Sequence, residues 1–389
     1  MTKPQIKNLY YITHINNIPS ILENGILSHQ ELLDSHIQFT PIYDSDIVNR
    51  RQHRSISDDQ TLWSYANLYF QPRNPMMYRV IKEGYIKNIA IISIKPQVLE
   101  EPGVAIADGN AAHNQTKFYP LSEGQIRLEK NWKTIQKEWW KDTDGSKRVI
   151  MSECLIPKLV KPTLIDSIFV PTNEVLEKIR LLIYTSKIPV IKEGNLFFQP
   201  NNRFRVSSHV FLVDGDLFFS TMHTLTISVN LQGVMSKGLA SRSKYQFPDV
   251  YVRYQDACKN KQLTATIPCL YRREASLDEE LADLGTPLNT PNSVKWFLLF
   301  ATKRHWRQNS RIEDIEAGLS WIKDNAVKAG IKSLALPALG CGLGKLQWSE
   351  VGPLMCHYLS DIGIPVAIYL PREEPLDSKF LTPDFLLNH

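Results

Sequence analysis

Between residues 209 and 359 the chain alternates short apolar runs with stretches of helical periodicity, and this limits its fold more than any other feature. Residues 209–213, 225–229, 296–301 and 331–336 are apolar runs of strand length. Ile312, Ile315, Leu319 and Ile322 recur on one helical face. Ser310 with Glu313 has the spacing of a capping box at its start, and Gly330 stands past its end. A second helix is expected over 349–359. Such alternation predicts a largely parallel sheet between helices, with ligands at the carboxyl ends of the strands.

The first half is of a different type. Residues 9–12, 89–94, 149–156 and 167–170 read as strands. Asn16 or Asn17 can cap a short helix carrying Ile18, Ile21 and Leu22, with Pro19 in its first turn and Gly25 after its end. Trp132, Ile135 and Trp139 predict an amphipathic helix over 129–141. Residues 42–67 are polar and aperiodic, a loop or lid. Periodicity lapses again around 191–205, so the boundary is placed near Asn202, giving domains 1–202 and 203–389. At 389 residues, with 43% hydrophobic and 22% charged content, each half can bury its own core.

Bulk properties exclude some classes. A net charge of +5 permits a polyanionic partner without requiring one. The five cysteines are scattered and form no CxxC pair, which argues against a disulfide framework or zinc site. The expectation is no metal and a reducing cytoplasm. No apolar run approaches the roughly 18 residues of a membrane span, so no membrane partner is expected.

Three segments of the second half follow strands and are rich in glycine or polar residues: 214–217, 230–238 and 339–344. Closely spaced glycines let backbone N–H groups approach an anion, and two such loops facing each other can cradle a diphosphate. Any one of them alone could be a tight turn. Together with 233–240 (GVMSKGLA), 301–307 (ATKRHWR) and 336–348 (LPALGCGLGKLQW), the pattern resembles the macrodomain family, closest to its DarG branch. The resemblance implies ADP-ribose as ligand and Asp216 as acceptor of the adenine amino group. It sets Asn230, Gly233, Val234, Gly238, Gly340, Cys341, Gly342 and Gly344 around the phosphates and distal ribose. Lys303 becomes the catalytic amine, although one more phosphate-facing cation is its plainer use. Ser236 stands where the family has glycine, and Ile227 where it has a second asparagine.

An enzyme that splits NAD+ needs a grip on the nicotinamide ribose, a cation for the diphosphate and a carboxylate beside C1″. Tyr11, Thr13 and His14 at a strand end, Arg51 in a polar loop and Glu153 in an apolar strand are candidates. Each alone has an ordinary structural use. Jointly, with 69–78 (YFQPRNPMMY), 108–112 (DGNAA) and 152–157 (SECLIP), they resemble the DarT family of DNA ADP-ribosyltransferases. The resemblance implies Arg51 at the diphosphate and reaction centre and Glu153 as catalytic carboxylate. It puts Thr13 and His14 at the ribose or nicotinamide end, with Met77 lining the pocket; Tyr11 replaces the usual histidine. The acceptor implied is a base in single-stranded DNA. Lys117, Phe118, Tyr119, Arg127, Lys130 and Trp132 suit backbone contact and stacking, or equally an ordinary helix and loop.

The expected whole is an α+β ADP-ribosyltransferase fold followed by an α/β three-layer macrodomain. It reads as a toxin–antitoxin fusion with intramolecular pairing, using NAD+ as substrate. The rivals are a protein- or RNA-directed transferase and a macrodomain that only binds.

Overall fold

The structure is a computed structural model, described for residues 5–42, 50–57, 60–274, 278–283, 288, 295–371 and 376–388. It forms two compact units, Met1–Phe198 with Asp278–Asn292, and Gln199–Leu277 with Ser293–His389. A single cut near Asn202 leaves 278–292 in the second domain, whereas here that segment belongs to the first unit. Leu281 and Ala282 are buried there, and the Trp140 Nε1–H donates to the Leu281 carbonyl at 2.9 Å. Such a tertiary contact leaves no trace in local periodicity.

Among the described residues the main sheet of the first unit has eight strands: β1 (Leu9–His14), β2 (Tyr65–Tyr69), β3 (Ile89–Ile94), β4 (Ala105–Ala107), β5 (Phe118–Pro120), β6 (Glu153–Pro157), β7 (Ile165–Val170) and β8 (Val190–Lys192). Their order is β8-β7-β3-β1-β2-β6-β4-β5. Every pairing is antiparallel except β7 with β8. β3 lies between β1 and β7 and is buried at all six residues, which explains its unbroken apolar run.

Four readings are corrected here. β2 begins inside the segment taken as loop; it is a central strand whose polar Asn67 hides the pattern. Residues 43–49 and 58–59 of that segment lie outside the described residues. The helix expected over 129–141 is α4 (Leu121–Ile135); Trp132 and Ile135 pack on the core, but Trp139 falls beyond its end. Residues 146–150 are helical, so the strand expected over 149–156 starts only at Glu153. In α1 (Ile18–Asn24) Asn17 makes no side-chain cap. Its amide instead accepts the Thr40 N–H at 2.8 Å and donates to the Thr40 carbonyl at 2.9 Å. Two further helices bear on the site, α2 (His29–Asp34) and α3 (Pro75–Lys82).

Among the described residues the second unit has seven strands: β9 (Asn202–Arg205), β10 (Val210–Asp214), β11 (Thr224–Asn230), β12 (Cys269–Tyr271), β13 (Trp296–Lys303), β14 (Leu334–Pro337) and β15 (Val366–Tyr369). The order is β9-β10-β15-β14-β11-β13-β12, five parallel strands between two antiparallel edges. Alternation along β13 sets the layers. Leu298 and Phe300 pack with α9 (Ile312–Asn325) and α10 (Trp348–Leu359). Phe297, on the other face, meets Phe247 at 5.1 Å between ring centroids, where α7 (Gly238–Gln246) and α8 (Pro248–Lys259) join. Helices therefore cover both sides. The Ser310–Glu313 capping box is not formed; Arg311 is the N-cap, and the Ser310 N–H donates to the Gly344 carbonyl at 2.9 Å. Among the described residues no helix is long and apolar enough to cross a membrane.

Candidate active sites

Glu153 opens β6, directly across from Tyr69 of β2 and Ala107 of β4. Its side chain is fully buried. A carboxylate in that position is costly unless its lone pairs and charge are met. Here Oε1 accepts the Ala111 N–H at 2.9 Å. The Arg51 guanidinium forks onto both oxygens, Nη2 to Oε2 at 3.0 Å and Nη1 to Oε1 at 3.4 Å. Around this pair the titratable groups are held neutral. Burial, then the Glu153 charge, push the Tyr69 hydroxyl well above its ordinary range. Burial raises Tyr11, with Arg51 working against it. His29 is pushed down to about 4 by burial and by the Arg51 charge, and it stacks on Trp63 at 4.5 Å.

A cavity of this unit is lined by Tyr11, Thr13, Asn17, His29, Tyr65 and Asn67, among others, and not by Arg51, Glu153, His14 or Met77; the Arg51 charge reaches it at Tyr11 and His29. Thr13 Oγ1 accepts from the Asn17 amide at 3.2 Å, which fixes the polar end of β1. His14 is engaged in the fold: its Nδ1 accepts the Asn16 N–H at 3.1 Å. Met77 is fully buried in the first turn of α3. Of the basic–aromatic set, Arg127 stacks on Tyr119 at 5.1 Å, whereas Trp132 packs inward on Phe70 at 6.4 Å. Sequence reasoning missed Ala111, Tyr69 and His29. The string 108–112 was visible, but a backbone N–H has no side-chain signature. Tyr69 could have been found only through the register of β2 on β6.

In the second unit Asp214, Asn230, Lys303 and Pro337 end four of the parallel strands, so their loops share one edge. Asn230 and Lys303 are paired across β11 and β13 after a bulge. Gly233 and Gly238 have φ of +71° and +58°, Gly340 and Gly342 of +75° and +65°, which strain any residue with a Cβ. The two glycine loops face each other, since a Cβ on Gly238 would meet Leu343 at 3.4 Å. Lys303 Nζ donates to the Leu343 carbonyl; burial, then Lys345, lower its pKa.

The other positions are more constrained than expected. The Asn230 amide donates to the Val234 carbonyl at 2.6 Å, and its carbonyl accepts the Gln232 N–H at 2.9 Å and the Tyr254 hydroxyl at 3.0 Å. Val234 itself is exposed and Cys341 half-buried. Asp216 caps the Phe218 N–H at 3.1 Å and is ion-paired to Arg242 at 2.8 Å. An ionised carboxylate still has lone pairs for a further donor. Tyr254 and Arg242 were not anticipated, because neither belongs to a strand-end loop. Ile227 is fully buried in β11. Among the described residues no cluster of three His, Cys, Asp or Glu side chains could hold a metal.

A family model described as "ssDNA thymidine ADP-ribosyltransferase, DarT" matches residues 10–198, and a Macro domain model matches 288–355. A DNA ADP-ribosyl transferase–DNA ADP-ribosyl glycohydrolase fusion protein of Thermosipho africanus is 52% identical over 387 residues, 99% of each chain. The chain belongs to this DarTG fusion family. A solved structure of Thermosipho africanus DarTG in complex with ADP-ribose matches with a TM-score of 0.90 and 50% identity, covering 98% of this chain and 100% of that one. A DNA ADP-ribosyl glycohydrolase of Thermus aquaticus is 35% identical over 164 residues, 42% of this chain and 41% of its own. In this DarTG chain the DarT match holds the Arg51–Glu153 pair, and the Macro match holds Lys303 and the 340–344 loop.

Proposed function

We propose that the first unit transfers ADP-ribose from NAD+ to a base of single-stranded DNA, and that the second binds ADP-ribose and hydrolyses it from that base. The support is the near full-length likeness to a fusion carrying both names, together with a buried carboxylate held by a backbone N–H and an arginine at the head of β6.

In this reading Tyr11 and Thr13 meet the ribose of NAD+, with His14 and Met77 shaping the pocket around them. Arg51 is the cation shared between the diphosphate and Glu153. As the C1″–nicotinamide bond breaks, positive charge grows on the sugar, and the fixed Glu153 carboxylate stabilises it. A base nitrogen then bonds to C1″ and its proton passes to Glu153. Thymidine, named by the matching family model, is the acceptor expected.

In the second unit the 233–238 and 340–344 loops hold the diphosphate, Asp216 the adenine and Asn230 the distal ribose. Lys303, its amine made easier to deprotonate, attacks or polarises C1″. The C1″–base bond breaks and water takes its place, leaving free ADP-ribose and an intact base. Fusion keeps the reversing activity at high effective concentration beside the modifying one.

Labelled NAD+ offered with single-stranded DNA, RNA and protein as competing acceptors tests the first step. Label on DNA, lost in Glu153→Gln, is expected; label on protein alone defeats the assignment. For the second step, purified ADP-ribosylated DNA is given to the protein and to Lys303→Ala. Failure of the unaltered protein to release ADP-ribose leaves only a binding module.

A further inference from the structure

Past Lys303, at the end of β13, the chain runs Arg304-His305-Trp306-Arg307-Gln308-Asn309-Ser310-Arg311 into α9. From Lys303 to Arg311 four of nine residues are lysine or arginine and none is acidic. Both ends of this loop are tied to the proposed ADP-ribose site. Arg304 forks onto Asp314 in the first turn of α9, Nε to Oδ2 at 3.0 Å and Nη2 to Oδ1 at 2.8 Å. Its carbonyl accepts from the Gln232 amide of the 230–238 loop at 3.5 Å. At the other end the Ser310 N–H holds the Gly344 carbonyl at 2.9 Å. The turn between them is closed by its own bonds: the Gln308 N–H donates to the His305 carbonyl at 3.0 Å, and the Arg307 N–H to His305 Nδ1 at 3.2 Å.

None of these bonds uses the Trp306 side chain, which keeps 45% of its surface exposed. A single exposed aromatic needs no explanation by itself. This one is flanked by planar and charged groups. The His305 ring is stacked with it at 5.6 Å between centroids and 23° between planes, and the Arg307 guanidinium lies over the indole at 4.5 Å. Arg304 and Arg307 are themselves exposed. Such a surface matches a nucleic-acid strand, in which every base has a face to stack and every phosphate a charge to meet. An acidic peptide would satisfy the arginines and leave the indole unused. Three residues of chain span at most about 11 Å, so Trp306 stands close to Lys303, where the modified base leaves C1″.

We infer that Trp306 is a specificity residue of the second unit: it stacks a base next to the modified one, while Arg307 turns from the indole to the neighbouring phosphate. The inference rests on the reading of the second unit as the hydrolase, and it narrows the substrate from any ADP-ribosyl adduct to one carried within a strand. The glycine loops, Asp216 and Lys303 serve the ADP-ribose moiety, which every adduct shares. Trp306 reads the part that differs. Because the loop is anchored through Arg304 and Ser310, truncating the indole leaves Lys303 in place and removes the stacking alone.

The test uses the full chain without NAD+ and follows ADP-ribose release from two substrates, an ADP-ribosylated single-stranded oligonucleotide and the ADP-ribosylated mononucleoside. In Trp306→Ala the KM for the oligonucleotide is expected to rise about tenfold, within the range for one lost stacked base. The kcat on it, and both constants for the mononucleoside, should not change. Trp306→Phe keeps a ring to stack and should stay within about threefold of the unaltered protein. An unchanged oligonucleotide KM in Trp306→Ala overturns the proposal. So does an equal rise for the mononucleoside, which makes Trp306 part of the ADP-ribose site or of its scaffold. A loss seen with Arg307→Gln but not with Trp306→Ala leaves only electrostatic attraction and overturns the stacking equally. An ADP-ribosylated peptide that responds to Trp306→Ala as the oligonucleotide does also refutes it. An unaltered protein can instead release ADP-ribose from neither substrate, yet bind the ADP-ribosylated oligonucleotide about tenfold more tightly than free ADP-ribose and lose that margin in Trp306→Ala. That result contradicts the hydrolase reading and leaves this one standing.

Discussion

Replacing Arg51 by alanine is expected to damage the fold more than replacing its partner Glu153 by glutamine, and the double variant is expected to be healthier than Arg51→Ala alone. The reason lies in the asymmetry of burial. Glu153 has no exposed side-chain surface, whereas Arg51 retains 12%. Removing the arginine leaves a buried carboxylate with one backbone N–H, at a cost of about 3–5 kcal/mol. Glutamine is nearly isosteric. Its carbonyl can keep the Ala111 N–H, and Arg51 can turn toward solvent, so the cost is about 1–2 kcal/mol. With both changes no charge is stranded. Urea unfolding of the four proteins, each checked for an unchanged m-value, gives the cycle. A coupling of at least about 2 kcal/mol is predicted. Additivity within about 0.5 kcal/mol refutes the view that Arg51 neutralises a buried Glu153. In the same proteins Glu153→Gln should lower kcat for nicotinamide release about a thousandfold, the combined scale of a lost base and lost electrostatic stabilisation, with the KM for NAD+ little changed.

Three further outcomes follow from the geometry. His29 has its folded pKa pushed down to about 4, against about 6.5 unfolded. Its contribution is fully present above the unfolded value and is lost as pH falls toward the folded one, by on the order of 3 kcal/mol; Tm measured from neutral pH downward should fall less steeply in His29→Gln, and an identical slope contradicts this. Lys303, its pKa lowered by burial and by Lys345, should give an ADP-ribose release rate that rises with pH through a point below the ordinary lysine range. Lys303→Arg should abolish that limb, and its survival would remove the amine from the mechanism. Arg242→Ala strands the 5%-exposed Asp216 and should cost about 3–5 kcal/mol of unfolding free energy while weakening ADP-ribose binding by calorimetry. An unchanged Tm argues that Asp216 relaxes into solvent.

The parallel core of the second unit was legible because each strand there is an apolar run and each ligand loop is announced by glycine. The 230–238 and 339–344 loops could thus be set at strand ends from spacing, whereas Lys303, in a stretch without glycine, was named only through the family resemblance. The first unit was harder, since its central strand β2 carries Asn67 and its strand β6 begins at Glu153 itself, which invited a reading that ran back into the helix at 146–150. Arg51 and Glu153 could be named but not joined, because the contact spans 102 positions of sequence. Asn17 and Ser310 show a different limit. Both have the residue type of a helix cap, but the Asn17 amide is drawn to Thr40, while the backbone N–H of Ser310 is held by Gly344 and its hydroxyl is buried without a hydrogen-bond partner among the described residues. The capture of 278–283 by the first unit depends on the indole N–H of Trp140 and the amide of Asn110, whose bonds no window of sequence reveals.

The most direct measurement is the intact mass of a single-stranded oligonucleotide incubated with NAD+ and either the unaltered protein or its Lys303→Ala and Glu153→Gln variants. The account predicts one added ADP-ribose that accumulates with Lys303→Ala, decays with the unaltered protein and never forms with Glu153→Gln. An oligonucleotide of unchanged mass throughout, with ADP-ribose found on protein instead, contradicts it.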